Sequence, residues 1–300
     1  MLKRLKIYFN EMYPILPRFM LSLIVFLEIY FIILLNYGVK EFSIGYQELI
    51  GAFTVFSFLM FLRIADDFKD YEIDCKLFKE RPLPSGRVKK KDLGIVLSII
   101  LFITAILNIV FMNNIWFFIF LFGYGALMSV WFFQKSKIQK SLPLALVTHN
   151  PVQMVINIYI ISFTCIKYSL NWVSIYVFLA AWTLYFPALI WEIARKIKAP
   201  KDENDYVTYS KLFGHKKAIK FILILTLVDI LTNIGLVFNL NTISIFALII
   251  NASWMTYTFV KFINDPEKFK IKDKVELYTF IQETIMLITI FTYTVFGKIG

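Results

Sequence analysis

Apolar residues fall into nine long runs separated by short polar or charged stretches. The runs lie near 17–37, 44–64, 93–112, 114–134, 141–166, 171–192, 217–239, 243–262 and 276–297. A helix of about 20 apolar residues covers the roughly 30 Å of a bilayer's hydrocarbon core, so each run predicts one spanning helix. The division between the third and fourth runs rests on Asn113 and Asn114 alone. Ahead of the first run, MLKRLKIYFNEMYPILPRF is basic and polar, which predicts a short cytosolic helix feeding span one. The run from Met20 to Leu35 lacks a small-residue cleavage site and reads as a span, not a leader. No Gly/Ser/Pro-rich linker divides the chain, so residues 1–300 are expected to form one all-α polytopic membrane domain.

Composition agrees with this pattern. The chain is 59% hydrophobic and carries 32 Phe against 11 Gly, well above the roughly 45–50% apolar content of a soluble domain. Its charge is unevenly placed. With the N-terminus inside, the inside segments 1–18, 63–92, 135–140, 195–220 and 261–275 hold 29 of the 32 Lys and Arg, leaving only Lys40, Lys167 and Lys298 outside. This is the asymmetry of the positive-inside rule, and a wrong span count would destroy it. The reading predicts an integral, multi-pass protein with N-terminus and acidic loops cytosolic and C-terminus outside. It also assigns the net charge of +11 to topology and anionic lipid, so no nucleic-acid partner is expected. Cys75 and Cys165 lack CxxC or His partners at metal spacing and read as free thiols.

One stretch breaks the apolar theme. DDFKDYEIDCKLFKERPLPSGRV begins at Asp66, directly after the second run. If span two continues as a helix at about 100° per residue, Asp66, Asp70, Asp74 and Asp67 fall near 0°, 40°, 80° and 100°, all on one face. Like charges on one helix face repel, and an Asp in the bilayer centre costs roughly 2.5–3.5 kcal/mol. The face must therefore be polar, open to the cytosol and occupied by something cationic. A hard cation such as Mg²⁺, which shares its shell with water and substrate phosphates, suits it. A solvated juxtamembrane loop would explain the lysines but not four co-facial aspartates.

These residues resemble the first signature of the UbiA-type intramembrane prenyltransferases, N-D-x-x-D-x-x-x-D followed by R-P-L-P-S-G. The match runs through Asp67, Asp70 and Asp74, then Arg81, Pro82, Leu83, Pro84, Ser85 and Gly86, with Asp66 in the place usually held by Asn. The resemblance implies nine helices around a central cavity open to the cytosol and to lipid. It also implies a second acidic motif, D-x-x-x-D, at the end of span six. Glu192 stands for its first acid, whereas Arg195 and Lys196 stand where further negative charge is expected. By this resemblance the catalytic acids are Asp66, Asp67, Asp70, Asp74 and Glu192. Metal falls to Asp66, Asp70, Asp74 and Glu192, and the diphosphate to Arg81, Lys135, Arg195 and Lys196. Lys135 enters because WFFQK holds the spacing of the family's Tyr-x-x-x-Lys, with Trp131 for the Tyr. The fixed cations at Arg195 and Lys196 offset the extra charge of Asp66 and are expected either to take the place of a second metal or to be a snorkelling pair at the span end. The later acids Asp202, Glu203 and Asp205 are expected to be solvated, the alternative being that they complete a metal site from the loop. His149 and Asn150, a polar pair inside span five, are read either as acceptor contacts or as a helix-packing hydrogen bond.

The implied reaction is transfer of an isoprenyl group from a polyprenyl diphosphate to an aromatic or lipid acceptor, with Mg²⁺ assisting diphosphate departure. Phosphoribosyl transfer to a polyprenyl carrier would use the same metal logic. A cation-coupled transporter would place acids at the midplane within inverted repeats, and no repeat is seen. A CDP-alcohol phosphotransferase needs a D-G-x-x-A-R motif, and Gly is absent from 52–85.

Overall fold

The computed structural model describes residues 1–203 and 207–298. The chain is all-α: 78% of it is helix, with no strand among the described residues. In order the helices are α1 (Leu2–Glu11), α2 (Ile15–Asn36), α3 (Tyr46–Lys69), α4 (Tyr71–Leu77), α5 (Lys90–Phe111), α6 (Ile115–Ser129), α7 (Lys135–Ile138), α8 (Leu142–His149), α9 (Val152–Lys167), α10 (Ile175–Trp182), α11 (Tyr185–Ala194), α12 (Tyr209–Phe213), α13 (His215–Val237), α14 (Thr242–Asn264) and α15 (Ile271–Phe296).

Among the described residues, eight helical segments are long and apolar enough to span, with α8–α9 and α10–α11 each making one of them. The fourth expected span is shorter than its apolar run. Helix α6 stops at Ser129, and Trp131, Phe132 and Phe133 all take left-handed conformations, with φ of 56°, 49° and 57°. Bulky side chains cost roughly 1–2 kcal/mol each in that region, so surrounding contacts must hold this turn.

The chain forms two compact units. The first comprises 1–30, 41–135 and 158–170. Its core gathers Leu5, Tyr8, Tyr13, Phe56, Met60, Ile64, Leu83, Val88 and Leu93. Close helix approach is set by small residues: a Cβ at Gly51 would meet the Phe26 ring at 2.2 Å, and one at Gly125 would meet Phe58 and Phe61 at 2.7 Å. Polar groups inside the spans are tied off. The Asn108 amide donates to Thr54 at 2.8 Å and Tyr159 donates to Asn108 at 2.8 Å, joining α3, α5 and α9.

The second unit comprises 31–40, 136–157 and 171–300. Its core runs from Phe186, Ile190 and Ile193 through Ile219 and Ile222 to Phe259 and Tyr278. Two expected single spans are broken here, at Asn150–Pro151 and at Thr183–Leu184. Proline removes a backbone donor at the first break. At the second, Leu184 is left-handed, with φ 57°. Helix ends inside a bilayer need partners for their freed carbonyls. Asn157 supplies them, donating to Thr183 O at 2.6 Å and Ala181 O at 3.2 Å.

Candidate active site

The helical turn after span two is nearly continuous. Helix α3 carries Asp66 and Asp67, and Asp70 interrupts it with φ −101° and ψ 9°, before α4 carries Asp74. The four aspartates are brought together but are not equivalent. Asp66 is exposed and pairs with Lys69 at 2.8 Å. Asp67 is buried, accepting from the Tyr8 hydroxyl at 2.6 Å and pairing with Arg63 at 2.5 Å. Asp74 is buried and pairs with Arg81 at 2.9 Å. Asp70, half-buried, has no side-chain hydrogen bond or ion pair among the described residues. Burial pushes its carboxyl above the usual range. The charges of Asp66 and Asp74 add to this, while those of Lys69 and Lys135 oppose it. Lys135 thus lies within electrostatic reach of Asp70.

The RPLPSG stretch explains its own composition. Leu83 plugs into the core of the first unit, and Val88 N–H closes the loop on Pro82 O at 2.9 Å. Gly86 sits at φ 75°, where a side chain would be strained. The loop delivers Arg81 to Asp74 and lays its guanidinium 4.0 Å from the Phe78 ring centroid.

At the end of span six, α11 presents Glu192 to two bases. Arg195 grips it with two guanidinium nitrogens, the Nη2–Oε1 distance being 2.8 Å, and Lys196 reaches it at 2.9 Å. One acid held by two bases leaves a net positive group. Tyr209 N–H donates to Lys196 O at 2.8 Å. Its phenol is buried without a partner among the described residues, and burial and the nearby Glu192 raise its pKa. Glu203 accepts from Thr208 at 2.8 Å and from Ser210, so it organises its loop rather than being merely solvated as expected. Asp202 and Arg195 help to line a cavity of about 320 Å³ that also holds Lys198, Lys270 and Lys272. Asp205 lies outside the described residues. His149 bonds to its neighbour Thr148 at 2.9 Å, and the Asn150 amide sits at the α8–α9 break.

Sequence reasoning missed several groups. Lys69 at i+3 from Asp66, and Arg63 four residues before Asp67, had readable spacings. Lys69 is buried, with its ammonium 4.5 Å from the Trp131 ring centroid, so the strained turn and the acidic turn meet there. Tyr8 carries no local signal, being 59 positions from Asp67. Asp229, within α13, was also passed over. It is fully buried and accepts from Asn233 at 2.8 Å, Gln282 at 3.2 Å and Tyr278 at 3.3 Å.

Among the described residues no three His, Cys, Asp or Glu side chains converge as a ready-made metal cage. The donor chemistry still fits a hard divalent cation. Mg²⁺ typically takes one or two carboxylates and completes its shell with water and phosphate oxygens. Asp70 is unpaired, and Asp66 and Asp74 each act on it electrostatically.

Comparisons with known proteins bear on this arrangement. The family model for the UbiA prenyltransferase family matches residues 25–281. A solved structure described as giving structural and mechanistic insights into digeranylgeranylglyceryl phosphate synthase in membranes is similar in fold. The TM-score is 0.67 at 16% identity, covering 98% of this chain and 99% of that one. No curated protein matches the chain.

Proposed function

The chain belongs to the UbiA prenyltransferase family, and from that premise we propose that it transfers an isoprenyl group from a polyprenyl diphosphate to an aromatic or lipid acceptor. Prenyl transfer by a multi-pass membrane protein is the general activity of the family, whose members generally depend on a divalent metal. The observation that carries the finer reading is Asp70, an unpaired carboxylate flanked by two acids that each have a base. In this reading Asp70, with Asp66 and Asp74, holds Mg²⁺. When bound, the ion neutralises charge that builds on the departing diphosphate.

The chain's own groups do the rest. Lys135 and Arg81 bind diphosphate oxygens beside the acids. Arg195 and Lys196 are pre-oriented by Glu192 and present fixed positive charge with no metal required. Arginine's planar fork suits phosphate oxygens. Fixed donors aimed at developing charge are the main source of rate in such chemistry, because they need no reorganisation during the reaction. Departure leaves an allylic cation, and a membrane-embedded pocket keeps water from it. The placement of 29 of 32 bases supports a cytosolic N-terminus and cytosolic charged helix ends.

The test is product formation from a panel of prenyl diphosphates by protein in lipid nanodiscs, read by mass spectrometry. Transfer at the wild-type rate in excess EDTA, or in Asp70→Ala, overturns the reading.

A further inference from the structure

Helix α1, of 10 residues, is too short to span a bilayer, yet one face of it is bonded along its length to the segment that bears the acids. Arg4, Tyr8 and Glu11 lie within about 60° of one another at 100° per residue. Arg4 forks onto Asp92 at the start of α5, at 2.5 and 3.0 Å. Tyr8, fully buried, donates to Asp67 at 2.6 Å. Glu11 receives both arms of Arg87 at 2.5 and 2.8 Å, and Arg87 in turn donates to Glu80 O at 2.5 Å and Ser85 at 3.1 Å. Leu5, Tyr8 and Tyr13 pack in the same core as Leu83 and Val88, and Tyr13 donates to Phe56 O at 2.8 Å.

These contacts grip three places: the end of α3, the loop 80–88 and the start of α5. Asp70 and Asp74 lie between the first two, and Arg81 lies in the loop itself. Asp67 has both carboxylate oxygens engaged, one by Tyr8 and one by Arg63.

We infer that α1 is a positioning strap for the acidic site, and that Tyr8, acting through Asp67, sets the orientation in which Asp66, Asp70 and Asp74 present their carboxylates. Asp67 is then an anchor and not a ligand. The chemistry is that of an outer-shell partner: a carboxylate locked by a phenol fixes the turn on which the neighbouring acids ride. Loss of such a partner typically weakens metal affinity or activity about 10–100-fold. The inference rests on the metal-assisted reading above.

The variant is Tyr8→Phe, which keeps the ring in its slot and removes only the hydroxyl. In nanodiscs the Mg²⁺ concentration for half-maximal transfer should rise about tenfold, with the rate largely recovered at saturating Mg²⁺. A purely structural role would lower the active fraction and leave the half-saturation point unmoved, and that result overturns the strap. Should Tyr8→Phe not insert, the charge swap decides. Arg87→Glu alone should shift the half-saturation point, and Glu11→Arg with Arg87→Glu should bring it back. No recovery overturns the idea. Amide exchange of residues 78–88 does not depend on the reaction and should quicken in Tyr8→Phe. A wild type inactive on every prenyl diphosphate sinks the proposed function, and the exchange result then still judges the strap: unchanged exchange rejects it.

Discussion

The two charged helix ends distribute charge differently. At the end of α3 and in α4, Asp66, Asp67 and Asp74 each have a base of their own, and Asp70 is left over. At the end of α11, Glu192 alone serves Arg195 and Lys196. The first arrangement has negative charge to spare and the second has positive charge to spare. A spare carboxylate recruits a cation, whereas a spare guanidinium or ammonium recruits an anion directly. A diphosphate carried by a metal needs both, so the departures at Asp66, Arg195 and Lys196 do not abolish the chemistry that the family motif implies. In the proposed reading, fixed side chains at Arg195 and Lys196 do part of the work that a bound metal would otherwise do.

The sharpest way to break this comparison is to remove the acid from each end. Asp70→Ala should reduce transfer about 10²–10³-fold, the range seen when one pre-organised stabilising group is lost. Glu192→Gln should cost about tenfold, through looser Arg195 and Lys196 and not through lost metal. Half-saturation by Mg²⁺, measured alongside, should move in the Asp70 variant with residual activity, Asp70→Asn, and stay put in Glu192→Gln. Equal shifts in both would make Glu192 a metal ligand after all.

Removing the base tests the other half. A hydrogen bond to a charged group is worth roughly 1.5–3 kcal/mol, so Arg195→Ala should raise KM for the prenyl diphosphate about 10–100-fold. Mg²⁺ dependence should be unchanged. If extra Mg²⁺ restores Arg195→Ala, a second metal can replace the arginine, and the contrast between the ends narrows.

The sequence made the all-helical membrane fold legible because apolar runs and the sidedness of Lys and Arg follow from solvation alone. It also put Asp66, Asp67, Asp70 and Asp74 at helical spacing, but a single face for all four requires an unbroken helix through Asp74, and Asp70 interrupts it with φ −101° and ψ 9°. Three things were out of its reach. The breaks at Asn150–Pro151 and Thr183–Leu184 interrupt runs that stay apolar throughout, and a hydropathy pattern cannot register them. Only Pro151 gave a local cue. The early end of α6 is set by three aromatics in left-handed conformations, which no residue preference would suggest. The grip of Tyr8 on Asp67 joins positions 59 apart, and only tertiary packing makes such a pair.

A third acid serves as a control for the comparison. Asp229 has no base among the described residues, only the neutral donors Asn233, Gln282 and Tyr278. It builds packing between α13 and α15 and binds nothing in this account. Asp229→Ala leaves those buried donors unsatisfied, at about 1–3 kcal/mol, and should lower the melting temperature in nanodiscs. The Mg²⁺ and diphosphate half-saturation points of the folded fraction should not change. A shift in either would bring Asp229 into the reaction.

The smallest effect belongs to the strap's outer anchor. Arg87 holds the Glu11 carboxyl below its ordinary value of 4.5. A carboxylate with a lowered folded-state pKa contributes stability that is present above the ordinary value and is lost as pH falls through the lowered one. The pair is exposed and screened by solvent, so its share is small. The melting temperature of the wild type should exceed that of Glu11→Gln at pH 7, and the gap should close as the pH drops below about 4.5. Asp92, held by Arg4, keeps the other end of the strap in place over part of the same range, so the comparison is best made in the Arg4→Gln background. At the end of α11 the loop acid Glu203 is held by the hydroxyls of Thr208 and Ser210, with no base in its grip among the described residues. A gap between wild type and Glu11→Gln that stays constant from pH 7 to 3 would mean that Arg87 holds its loop through Glu80 and Ser85 alone, and that α1 is anchored from Tyr8 inward.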